Sequence, residues 1–87
     1  MILSIYSVYD IKAEAYDRPF FLHNDKVAIR AVADVFRDKD HQYAAHSEDY
    51  RLVCLGEFRD DIGAIDAHSP RLVIELAALA ATVKQEA

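Results

Sequence analysis

The 87-residue chain predicts an α+β fold: a small antiparallel sheet with a β-hairpin at 50–66, one amphipathic helix at 25–37 and a C-terminal helix at 70–84. Three observations carry that expectation. Residues 50–66 read YRLVCLGEFRDDIGAID, a run of strand formers closed by a DDIG turn. Apolar residues at 27, 28, 31, 32, 35 and 36 recur with the period of a helix. Ser69-Pro70 offers a cap and a first helical residue, and Leu72, Val73, Leu76, Leu79, Ala80 and Val83 continue behind it as a stripe.

Taken in order, residues 2–9 (ILSIYSVY) combine Ile, Val and Tyr with serines, which suits a central strand buried on one face. Residues 10–18 (DIKAEAYDR) are polar and contain no glycine, so an ordered loop or short arm leads to Pro19. The PFFLH that follows starts on a proline, which confines it to an edge strand or an extended approach. Asn24 is placed to cap the next helix, with Asp25 in its first turn where a negative charge suits the helix dipole. Lys26, Arg30 and Arg37 gather away from the apolar stripe, with Asp34 among them. Residues 39–49 form a polar connection with room for one helical turn around Tyr43 to Ala45. In the strand from Tyr50 to Phe58, simple alternation puts Leu52, Cys54, Gly56 and Phe58 on one face and Val53, Leu55 and Glu57 on the other. Gly63 suits a left-handed turn position, and residues 64–66 return as a short strand. Leu72 to Ile74 also fit an extension of the sheet, so the start of the last helix stays open between the two readings.

A hydrophobic content of 53% supplies one core, so a single domain over 1–87 is expected, with association into a homodimer or higher oligomer to supplement its stability. Fifteen acids against ten bases give a net charge of −5, which repels polyanions unless the bases are gathered on one face. Residues 1–40 hold six bases and seven acids, and residues 41–87 hold four bases and eight acids, so any polyanion-binding face belongs to the first half. The opening MILSIYSVYD has no basic segment and meets Asp10 early, unlike a secretory leader. No stretch reaches the roughly 20 apolar residues needed to span a bilayer, and no membrane role is expected.

Cys54 is the only cysteine, which excludes an internal disulfide and fits a reducing cytoplasm. It alternates into a strand where a small hydrophobe belongs, with no paired histidine evident, so it reads as core. His41 and His46 lie five apart in a loop, and neither they nor His23 and His68 make a ligand set; no metal and no cofactor is expected. Glu48-Asp49 and Asp60-Asp61 read as hydrated turn acids rather than a catalytic pair. Gly56 and Gly63 are the only glycines, too few for a phosphate-cradling loop. An enzyme is not expected.

Aromatic residues interleaved with bases are the pattern that holds single-stranded nucleic acid, the rings stacking on bases and the cations tracking phosphates. Tyr6, Tyr9, Lys12, Tyr16, Arg18, Phe20 and Phe21 supply that mixture within sixteen residues, followed by Lys26 and Arg30. The competing reading makes Tyr6, Phe20 and Phe21 core and lets Tyr9 and Tyr16 cover its edge. On the residues alone that reading is preferred.

The segments IYSVYDIKAEAYDRPF, NDKVAIRAV and HSEDYRLVCLGEFRDDIGAI, in that order, resemble the small non-structural protein of gokushovirus-type microviruses, bacteriophages with circular single-stranded DNA genomes. The resemblance covers about residues 3 to 65 and is most specific in EDYRLVCLGEFRDDIG. His46-Ser47 stands where a proline is usual, Val53-Cys54 replaces a bulkier pair, Ile62 stands where threonine is common, and the segment PRLVIELAALAATVKQEA lies outside the resemblance. The resemblance implies a protein of the host bacterial cytoplasm that acts in viral single-stranded DNA synthesis, on the DNA or on a viral or host replication protein. Lys12, Arg18, Lys26, Arg30 and Arg37 are the residues expected on phosphates, and Tyr9 and Tyr16 the stacking rings. The alternative is a protein-interaction module without direct DNA binding, which the net charge of −5 favours.

Overall fold

Ile, Tyr and Val at the start of the chain form β1 (Ile2–Asp10), inside a five-stranded antiparallel sheet. The structure, a computed structural model, describes residues 1–85. One side of β1 is taken by β2 (Ala15–Tyr16) and β3 (Phe20–Leu22), placed end to end. Its other side pairs with β4 (Tyr50–Arg59), which in turn holds β5 (Ala64–Glu75). Between β3 and β4 run α1 (Asp25–Val35), α2 (Gln42–Ala45) and a 3-10 turn at Ser47–Asp49; α3 (Leu76–Gln85) follows β5. The mixed α+β class and the hairpin are as the sequence predicts.

One face of the sheet is covered. Tyr6 and Val8 of β1 and Tyr50, Leu52 and Cys54 of β4 pack against Ala28, Val32 and Phe36 from α1 and Leu76 and Leu79 from α3. The helix α1 starts where Asn24 dictates, its side-chain oxygen accepting from the Val27 N–H at 3.0 Å. The loop 10–14 is ordered through Asp10, whose carboxylate accepts from the Lys12 and Ala13 N–H groups at 3.0 and 3.1 Å. At the hairpin tip Gly63 has φ 68°, the left-handed conformation open to glycine, and its N–H donates to the Arg59 carbonyl at 2.8 Å.

Two details differ from simple pattern reading. The C-terminal helix begins at Leu76 rather than Pro70, because the sheet continues through the region expected to be helical. Arg71, Leu72, Ile74 and Glu75 pair with Cys54, Val53, Leu52 and Arg51, and the β-branched Val73 and Ile74 favour that extended state. Pro70, with no N–H to give a ladder, falls in the irregular stretch between Ala67 and Arg71 where pairing is interrupted.

The second difference is Phe58. Ile5 pairs with Gly56 and Tyr6 with Cys54, which leaves Leu55 as an extra residue, a β-bulge. The bulge reverses the alternation downstream, so Phe58 lies on the face opposite Leu52 and Cys54 instead of beside them. There its ring meets Phe21 edge-on, with centroids 5.6 Å apart.

Candidate nucleic-acid interface

The uncovered face of the sheet follows from strand alternation. With Tyr6 and Val8 turned to the helices, Ile5, Ser7 and Tyr9 point the other way, and their partners across the ladder are Gly56, Val53 and Arg51. Ser7 is fully buried, and its hydroxyl donates to the Asp17 carbonyl at 2.7 Å. At one end of this face Tyr9 and Tyr16, paired across β1 and β2, place their rings 4.6 Å apart at 46°. Tyr16 is 49% exposed, so a planar ligand can reach it.

Lys12 occupies the turn between these two tyrosines and is exposed; its ammonium lies 3.8 Å from an Asp49 carboxylate oxygen. Arg51, opposite Tyr9, is exposed and reaches Glu75 at 3.0 Å. Arg18, between β2 and β3, lines a cleft of about 250 Å³ together with Phe20, Ala31, Val35 and Tyr43. It therefore stands at the sheet edge beside α1. On α1, Lys26 and Arg30 are exposed one turn apart, and Arg37, just past the helix, lies 3.8 Å from Asp34.

The structure thus brings Tyr9, Tyr16 and Lys12 together at one end of the open face. It places Lys26 and Arg30 behind the sheet, exposed on α1, and Arg37 just past the end of that helix, with Arg18 on the β2–β3 edge that joins the two. Sequence reasoning did not single out Arg51, whose place beside Tyr9 depends on the register of β1 against β4. Nor did it single out the Phe21–Phe58 pair, whose shared face depends on the bulge at Leu55.

Two carboxylates tie separate elements together, Asp17 through Tyr43 and Asp25 through Arg71 and Tyr6. Tyr43 donates its hydroxyl to Asp17, which holds the Asp17 carboxyl below the usual range, with further help from the Arg18 N–H. Burial and that same bond push the Tyr43 phenol up. Arg71 grips Asp25 with two nitrogens at 2.9 and 3.1 Å, and Tyr6 donates to the same carboxylate at 2.7 Å. The guanidinium first, then the phenol, keep the Asp25 carboxyl below its usual range; burial and the Asp25 contact push Tyr6 up to about 12.

Both carboxylates are depressed in the folded state, so the stability they contribute is present above the ordinary carboxylate range and is lost as pH falls through their folded values. Thermal melts from neutral pH downward should show a falling Tm that begins near pH 4. The Asp25→Asn variant should have a flatter acid limb. Identical acid losses in the two proteins would remove Asp25 from that account.

Cys54 is 2% exposed, as a core cysteine should be, yet it has a histidine neighbour that the sequence pattern did not reveal. His68 Nε2 lies 3.9 Å from its sulfur, while His68 Nδ1 sits 2.8 Å from the Ser69 carbonyl oxygen. The irregular stretch of β5 brings His68 back over Cys54. Among the described residues, His46, Glu48 and Asp49 are the group whose possible metal-ligand atoms converge, all within 4.8 Å of one another. His41 instead caps α2, accepting from the Tyr43 N–H at 3.1 Å. Among the described residues no helix is long and apolar enough to cross a membrane.

A protein-family profile described as Phage ORF5 protein matches residues 3–79. No curated protein and no solved structure matched the chain.

Proposed function

The chain belongs to the phage ORF5 protein family, and on that premise we propose that it is a non-enzymatic accessory protein of a gokushovirus-type microvirus. It works in the host bacterial cytoplasm during viral single-stranded DNA synthesis, and it binds the single strand directly. The observation that carries this reading is the Tyr9–Tyr16 pair at the end of an uncovered sheet face, with the Tyr16 ring exposed, Tyr9 half-buried beside it and Lys12 in the turn between the two. Exposed rings on a sheet offer stacking to any base, and nearby cations follow the backbone. The strand passes from the tyrosines around the β2–β3 edge at Arg18 to Lys26 and Arg30 on α1 and Arg37 just past its end. A viral or host replication protein then meets the complex.

Fluorescence anisotropy with labelled single-stranded and duplex oligonucleotides at several salt concentrations tests it. Tighter, salt-sensitive binding to the single strand is expected. Replacing Lys26, Arg30 and Arg37 together by alanine should weaken binding several-fold and reduce the log–log salt slope by about 2, the share of three phosphate contacts on a single strand. An unchanged slope removes α1 from the DNA path.

A second reading, an interaction module that touches no DNA, is favoured by the net charge of −5 and by the eight acids of residues 41–87. It predicts no oligonucleotide binding even at low salt.

A further inference from the structure

The other end of the open sheet face is chemically unlike the tyrosine end. Phe21, Phe58, Ile65 and Leu72 stand there over Ile5 and Val53, which they help reduce to 7% and 6% exposure although no helix covers them. Register fixes their common face: Ile5 lies between Phe21 and Gly56, Phe58 faces Ile65, and Val53 lies between Ser7 and Leu72. Phe21, Ile65 and Leu72 remain 43%, 62% and 52% exposed. None of these six residues is charged; beyond Val53 the ladder reaches Arg51 and Glu75, paired with each other, and beyond Phe58 it reaches Asp60, paired with the Met1 ammonium.

We propose that this apolar end of the sheet is the seat of a second copy of the same chain, packed face to face about a two-fold axis. Area supports that occupant. The exposed parts of the four outer side chains amount to roughly 350 Å², which at the roughly 65% apolar share of a homodimer interface corresponds to roughly 550 Å² per partner, just above the roughly 1,000 Å² in total that a biological interface needs. Charge supports it as well. Two chains that each carry −5 repel over most of their surfaces, and an uncharged patch is where they meet with least electrostatic cost. A nucleic acid finds no cation in the patch to meet its phosphates.

A two-fold contact is self-complementary, since each copy offers the same surface. The two sheets then stack about 10 Å apart, with Phe21 and Phe58 of one copy filling the space beside Ile65 and Leu72 of the other. Tyr9 and Tyr16 lie at the far end of the face, outside the contact, so the dimer does not depend on the DNA-binding reading.

Sedimentation equilibrium of the full chain at micromolar concentrations, with folding followed by circular dichroism, decides the matter. The wild type should have about twice the 9.9 kDa mass of one chain. Ile65→Asp, which puts a carboxylate at an already exposed position, should return the mass to that of one chain with an unchanged spectrum. Tyr9→Ala should leave the doubled mass intact. If Ile65→Asp fails to fold, Leu72→Lys supplies the same readout from the neighbouring pair. A wild-type monomer, or a folded Ile65→Asp or Leu72→Lys protein that keeps the doubled mass, overturns the proposal.

Discussion

Replacing Gly56 by alanine should destabilise the protein by about 3 kcal/mol, a large share of what a small domain holds in reserve. A Cβ on residue 56 would lie 2.3 Å from the Asp66 carbonyl oxygen and 3.0 Å from the Ala67 Cα. Both are backbone atoms of β5, so no side chain can rotate away, and the two strands of the hairpin must spread. The strain falls beside the bulge at Leu55 and next to the point where β5 loses its regular pairing beyond Ala67. Gly63 provides the control. A Cβ there meets nothing within 4 Å, so Gly63→Ala pays only for its φ of 68°, about 1 kcal/mol. Urea unfolding of both variants checks the ordering; a Gly56→Ala protein as stable as Gly63→Ala would mean that β5 does not approach β4 as closely as described.

The same glycine shows what could be read from the sequence and what could not. The strand at 50–58, the Asn24 cap, the left-handed Gly63 and the edge strand after Pro19 each rest on local rules of cap, turn and propensity, and local rules act within a few residues. The bulge at Leu55 has no such signature, because it arises from the register of β4 against β1 and β5, set by contacts far apart in sequence. It moved Phe58 to the opposite face, and with it the Phe21–Phe58 pair. The extension of β5 through Leu72 and Ile74 was one of two readings, and the partners that decided for strand, Val53 and Leu52, lie some twenty residues upstream. Of the candidate interface, Tyr9 and Tyr16 were legible as an aromatic pair with a lysine between them. That the rings touch while the α1 bases lie behind the sheet could be known only once the strands were paired.

That separation makes the tyrosines and the helix bases distinguishable in solution. Alanine at both Tyr9 and Tyr16 should weaken binding to a single-stranded oligonucleotide about 10- to 100-fold, given that stacking of one base on one ring is worth about 1–3 kcal/mol. The rings already touch at 4.6 Å, so a base stacks on their outer side and the loss is closer to that of one base than of two. The salt slope should stay at its wild-type value, since no phosphate contact is removed, whereas the Lys26, Arg30 and Arg37 triple variant should flatten it. Phenylalanine at both positions keeps the ring faces and should bind nearly as the wild type does. Tyr16 is half exposed and Tyr9 lies outside the core cluster, so the alanine protein should fold, which its far-UV spectrum verifies. Wild-type affinity in the folded alanine variant would show that the pair only covers the edge of the sheet. A loss shared equally by the phenylalanine variant would point to the phenolic hydroxyls, and to hydrogen bonding rather than stacking as the means by which this end of the face holds the strand.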